Sequence, residues 1–126
     1  MILIVEDDVD AREAYDRFLS LNGFRTAVAS DGREALRKMA TLQPDLVVMD
    51  LAMPTLNGRE AIQAMRESST IGRIPVLVLT AHGREGSETV RTLDCEGFLI
   101  KPCPPSELLA EVNRVLQRAG KLSLTD

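Results

Sequence analysis

Pro44-Asp45-Leu46-Val47-Val48-Met49-Asp50-Leu51-Ala52-Met53-Pro54 is the stretch on which the fold turns. Four apolar residues, Leu46 to Met49, run without interruption and stop at a carboxylate. A strand covered on one face alternates apolar with polar residues. An unbroken apolar run instead reads as a strand buried on both faces, in the middle of a parallel sheet. Asp50 stands where that strand leaves the core, and Pro54 and Gly58 mark the loop beyond it. Open α/β sheets bind ligands outside the carboxyl ends of their strands, so Asp50 is placed to act on something.

The rest of the chain repeats the pattern. Met1-Ile2-Leu3-Ile4-Val5 is a second unbroken run and ends in Glu6-Asp7-Asp8. A helix follows, with Ala11, Ala14, Tyr15, Phe18 and Leu21 at three- and four-residue spacing and Asn22-Gly23 closing it. Asp8 reads as the cap of this helix. Phe24 to Ala29 is a shorter strand whose Arg25 and Thr26 suit a sheet edge. Asp31 and Glu34 form a capping box for a helix with Ala35, Leu36 and Met39 inward, ending before Pro44. Asn57-Gly58-Arg59-Glu60 starts a third helix, with Ala61, Ile62 and Met65 inward.

Val76 to Leu79 is another buried strand and ends at Thr80. After it the signal weakens: Gly83 and Gly86 flank or interrupt a helix whose apolar residues are only Val90 and Leu93. Gly97 to Ile100 is the fifth strand and leads into Lys101-Pro102. The last helix has Pro105 at its first position and Leu108, Leu109, Val112, Val115 and Leu116 inward. Residues 1–118 read as one domain and 119–126 as a polar tail or linker remnant. Strand followed by helix five times predicts an α/β fold, a doubly wound (βα)5 three-layer sandwich.

Bulk composition narrows the function classes. The 126 residues hold 44% hydrophobic and 27% charged side chains, which suits a globular domain. A net charge of −4 argues against direct nucleic-acid binding, which needs clustered Lys and Arg. No apolar run reaches the roughly 18 residues of a membrane span. Cys95 and Cys103 are neither a metal-ligand pair nor a disulfide framework, so a cytoplasmic protein with reduced thiols is expected.

Parallel strands end at one edge. That edge presents Glu6 and Asp7, Asp50, Thr80 and Lys101. Carboxylates about 5 Å apart repel by roughly 3 kcal/mol per pair at an effective dielectric of 20. A cation relieves that repulsion, and an all-oxygen site suits Mg²⁺. Lys101 and Thr80 add an ammonium and a hydroxyl, groups that stabilise a phosphoryl group in transfer, and Asp50 is a nucleophile able to form an acyl phosphate.

At these residues the chain resembles the receiver (CheY-like) domain of bacterial two-component response regulators. Ile2-Leu3-Ile4-Val5-Glu6-Asp7-Asp8, Asp50-Leu51-Ala52-Met53-Pro54 with Asn57-Gly58, Thr80-Ala81, and Lys101-Pro102 carry the resemblance, from residue 1 to about 118. It implies the flavodoxin-like fold with strand order 2-1-3-4-5. It implies that Asp50 takes a phosphoryl group from a sensor histidine kinase or histidine phosphotransfer protein. Glu6, Asp7, Asp50 and the main-chain carbonyl of Ala52 would hold Mg²⁺, and Lys101 would pair with the phosphoryl oxygens. Lys101-Pro102 would be a cis peptide, and Thr80 and Phe98 would switch. The output would pass through the surface around the fourth helix, fifth strand and fifth helix to a downstream protein or output domain. By the same resemblance, Ala52 and His82 would tune loss of the phosphoryl group. Cys103 stands where a Phe usually follows Lys-Pro, and Pro104 stands at the helix N-cap.

Three other functions compete. A Mg²⁺-dependent phosphohydrolase on this type of sheet would carry a second Asp two residues after the nucleophile, where this chain has Ala52. A flavin or nucleotide module would need Gly, Ser and Thr donors after the first strand, where Glu6-Asp7-Asp8 repels phosphate. A degenerate receiver, used only for interaction, would have lost functional positions that are all filled here.

Overall fold

The structure is a computed structural model describing residues 1–51, 58–80 and 93–121. Its strands are β1 (Ile2–Val5), β2 (Thr26–Ala29), β3 (Leu46–Asp50), β4 (Val76–Thr80) and β5 (Gly97–Ile100). The helices among the described residues are α1 (Val9–Leu21), α2 (Gly32–Leu42), α3 (Gly58–Arg66) and α4 (Pro105–Arg118). The strands form one parallel sheet in the order β2-β1-β3-β4-β5, the flavodoxin-like order. The weak helix expected around Gly83 and Gly86, and the Asn57 end of the expected capping box, lie outside the described residues.

Strand parity explains the layers. Successive side chains of a strand point to opposite faces, so two helical layers need two apolar sets. Leu3, Val5, Val47, Met49, Val76 and Val78 pack with Ala35 and Met39 of α2 and Ala61, Ile62 and Met65 of α3. Ile2, Ile4, Leu46, Val48, Leu77 and Leu79 pack with Leu19 of α1 and Leu108, Val112, Val115 and Leu116 of α4. An unbroken apolar run is what two covered faces require.

The local signals act as their chemistry dictates. Asp8 caps α1, its carboxylate accepting the Ala11 amide at 2.9 Å. Asp31 accepts the Glu34 amide at 2.8 Å, and Glu34 reaches back to the Ser30 amide at 2.6 Å, completing a reciprocal cap on α2. Pro104 is the N-cap of α4 and offers no side-chain bond there.

One inward face differs from expectation. Leu19 is the buried anchor of α1, Tyr15 and Phe18 are partly buried beside it, and Ala14 and Leu21 face outward. At 100° per residue, positions 14 and 21 fall together, well round the helix from the stripe through 11, 15, 18 and 19. The first strand of the edge pair is also shorter than expected: β2 begins at Thr26, not Phe24.

Candidate functional site

The register brings the acidic strand ends level. Val5 pairs with Met49, so Glu6 and Asp50 sit side by side one residue further on. Asp50 pairs with Leu79, Thr80 pairs with Ile100, and Lys101 follows directly. Glu6, Asp7 and Asp50 offer carboxylate oxygens that all lie within 4.8 Å of one another. Lys101 reaches into the group, with Nζ 2.7 Å from Glu6 Oε1 and 3.3 Å from Asp50 Oδ2.

Two of these carboxylates are desolvated: Glu6 is 1% and Asp50 4% exposed. Burial pushes the Glu6 carboxyl up to about 7, and the neighbouring Asp50 carboxylate adds to that push against the opposing pull of Lys101. Burial alone would lower the Lys101 ammonium. Its bond to Glu6 and the charges of Asp50 and Glu6 outweigh that and hold it above its ordinary value. Glu6 Oε2 is buried and has no hydrogen-bond partner among the described residues. An orphaned oxygen in a knot of three carboxylates fits a hard divalent cation, for which every donor here is oxygen.

The backbones carrying these groups are tied down. The Glu6 amide donates to Ala29 O at 3.0 Å, and Arg12 donates to Glu6 O at 3.0 Å. The Lys101 amide donates to Thr80 O at 2.7 Å, and the Lys101–Pro102 peptide is cis. Gly58 opens α3 hard against the end of β3. A Cβ there would collide with the Asp50 carbonyl and come within 2.8 Å of Leu51 Cα. The glycine therefore lets the helix start close enough to brace the segment that carries Asp50.

A cleft of about 530 Å³ opens over the group. Its floor is Glu6, Asp7, Asp50 and Lys101, and its walls include Ala11, Tyr15 and Cys103. Sequence reasoning placed none of those wall residues at the site, but a parity signal existed. Glu6 continues the Ile2-Ile4 face and Asp50 the Leu46-Val48 face, the one α1 and α4 cover. Thr80 is buried at the end of β4, on the opposite parity, and does not line the cleft. Phe98 is 40% exposed on β5, away from the cleft. Ala52 and His82 lie outside the described residues. No described helix is long and apolar enough to cross a membrane.

Comparison with known proteins follows the same line. The sequence profile described as response regulator receiver domain matches residues 2–113. Response regulator MprA of Mycolicibacterium vanbaalenii is 44% identical over 119 residues, which cover 93% of this chain and 50% of that protein. MprA of Mycobacterium ulcerans is 43% identical over 119 residues, with the same coverage of 93% and 50%. The chain thus spans about half the length of the curated relatives it matches. Among solved structures, the Vibrio cholerae chemotaxis protein CheY4 superposes with a TM-score of 0.84 at 33% identity, covering 91% of this chain and 97% of that one. The crystal structure of a putative response regulator from Chloroflexus aurantiacus superposes with a TM-score of 0.87 at 29% identity, covering 93% of this chain and 97% of that one.

Proposed function

This chain belongs to the response regulator receiver domain family, and from that premise we propose that Asp50 is its phosphoryl acceptor. The donor is a phosphohistidine on a sensor histidine kinase or histidine phosphotransfer protein. The single observation that carries the reading is the position of Asp50, with Lys101 Nζ 3.3 Å from its Oδ2 and two further carboxylates within 4.8 Å. That arrangement holds a nucleophile and the charges its reaction needs.

The chemistry asks little of the protein beyond placement. An Asp50 carboxylate oxygen attacks phosphorus as the P–N bond of the donor breaks. The imidazole leaves with the bonding pair, and with its other ring nitrogen protonated it departs neutral, so the site needs no general acid. Lys101 supplies positive charge to the phosphoryl oxygens in flight, where preorganised charge counts most. Glu6, Asp7, Asp50 and the Ala52 carbonyl would hold Mg²⁺, which when bound would offset the negative charge that carboxylates and phosphoryl group would otherwise set against each other. Without an acid two residues after the nucleophile, turnover of an external substrate is not part of this reading, and the chain only gains and loses its own phosphoryl group.

The acyl phosphate brings about −1.5 to −2 of charge to the end of β3. Thr80 and Phe98 are the switch residues of this reading, and the surface they reach is the segment after Thr80, β5 and α4. Residues 1–118 act as the receiver, with the rest a tail or linker. A downstream partner or output domain and a cytoplasmic setting belong to the same proposal. Ala52 and His82 then set how fast water removes the phosphoryl group.

Incubation with acetyl phosphate and Mg²⁺, followed by intact mass, should show one added phosphoryl group that Asp50→Asn abolishes. An adduct that survives the substitution, or none in the parent chain, would sink the reading and favour a domain used only for interaction.

A further inference from the structure

We propose that the cleft wall built by Tyr15 of α1 and Cys103 of the segment after β5 is a subsite for a flat aromatic leaving group, so that the chain selects phosphoryl donors with a ring at the leaving nitrogen. The inference rests on the reading of Asp50 as the phosphoryl acceptor and adds a donor specificity to it. The cleft measures about 530 Å³, a size that takes a whole small ligand. A phosphoryl group and a cation at its floor do not fill it.

Floor and walls differ in chemistry. The floor is four charged side chains, Glu6, Asp7, Asp50 and Lys101. Ala11 and Tyr15 stand one turn apart on α1 and so share a face. Tyr15 and Cys103 pack against one buried cluster, yet both are only partly buried and both line the cleft. Burial holds the Tyr15 phenol above its ordinary value although Lys101 pulls it down, and burial likewise raises the Cys103 thiol. Both walls are therefore uncharged at neutral pH. A charged floor beneath an uncharged aromatic wall suits a ligand with one anionic end and one flat, neutral end.

The direction of transfer says which part of the donor meets the wall. Displacement is in line, so the leaving group departs on the side of phosphorus away from the attacking Asp50 oxygen. That direction runs outward from the floor. An imidazole ring leaving along it gains the offset or edge contacts of an aromatic pair from Tyr15. Cys103 contributes by being small: its side chain ends at the sulfur and leaves room that a branched side chain would occupy.

Two donors with the same reacting bond test this. Phosphoimidazole and phosphoramidate each break a P–N bond as a P–O bond forms to Asp50. Imidazole leaves the first and ammonia the second, each taking the bonding pair and departing neutral. The ratio of the two rates, followed by intact mass at saturating Mg²⁺, isolates the ring and cancels any loss of folded protein. Tyr15→Leu should lower that ratio about fivefold, the scale of one lost aromatic pair. Tyr15→Phe, which keeps the ring, should hold it at the parent's value. Cys103→Leu, which fills the room without offering a ring, should lower it too. An unchanged ratio in Tyr15→Leu or Cys103→Leu, or an equal fall in Tyr15→Phe, overturns the proposal.

A second measurement needs no phosphoryl transfer. In the parent chain, neutral imidazole should slow alkylation of Cys103 by iodoacetamide, with the partly buried Cys95 as internal reference. Equal alkylation with and without imidazole overturns the subsite. A parent that accepts phosphoryl from neither donor defeats the proposed function, and the alkylation result then decides the subsite alone.

Discussion

Gly58 shows how much a single position can govern. The start of α3 lies so close to β3 that any Cβ would press on the Asp50 carbonyl and on Leu51. Gly58→Ala should therefore cost on the order of 1–3 kcal/mol, the range for overpacking, read as a lowered urea midpoint. Because the clash is with the Asp50 backbone, the same variant should also slow phosphorylation. A stable variant of normal activity would mean that α3 retreats freely and does not brace the site. The need for glycine was half visible: Asn57-Gly58 marks a helix start, but only the packing shows which backbone the glycine spares. Glu6, Asp50 and Lys101 are legible for a different reason. Each follows an apolar run, and parallel strands must end together. Tyr15 and Cys103 were not found, because they enter the cleft from a helix and a loop whose approach depends on packing.

At the scale of elements, two polar clamps hold pieces that local propensity leaves loose. Arg66, at the end of α3, donates to the carbonyls of Gly72, Ile74 and Asp94 and to the Glu96 carboxylate, which also accepts the Val76 amide. One guanidinium thereby ties α3, the 68–75 loop, the start of β4 and the approach to β5. Arg66→Ala should cost about 3 kcal/mol, since it leaves several acceptors with no donor. A loss within the scatter of ordinary surface substitutions, about 0.5 kcal/mol, would mean that water replaces the clamp.

The second clamp sits on α4. Glu111 takes both Arg114 bonds at 2.6 Å and lies over Gly97, whose missing side chain leaves room for the carboxylate. The Arg114 hydrogen bond holds the Glu111 carboxyl below its ordinary value. A carboxyl lowered by folding adds stability that is fully present above its unfolded pKa and is lost as pH falls through the folded one. The stability gap between the parent and Glu111→Gln should thus be open at neutral pH and close on acidification. A gap that stays constant with pH would assign the effect to packing alone.

For the molecule as a whole, the carboxylate cluster is a local electrostatic cost that the fold carries. Burial and the proximity of Asp50 both oppose ionisation of Glu6, and among the described residues its second oxygen has no hydrogen-bond partner. A cation that binds the folded chain alone must therefore stabilise it. At a hundredfold excess over Kd, Mg²⁺ should add about 2.7 kcal/mol to unfolding, and Asp50→Asn should reduce the gain. A melting midpoint indifferent to Mg²⁺ would count against the all-oxygen site.

The sequence by itself determined the class of this protein. Unbroken apolar runs demand strands covered on both faces, caps and glycines bound the helices, and the order of strand and helix leaves few topologies. It also determined which acidic and basic groups share an edge. Tertiary structure alone decided the rest: that α1 turns Leu19 inward and Leu21 out, that Lys101 rests nearer Glu6 than Asp50, and that Tyr15 and Cys103 wall the cleft. The reason is physical. Periodicity records how one element meets solvent, whereas the rotation of a helix on its sheet and the meeting of two long side chains across two intervening strands depend on what every neighbour leaves free.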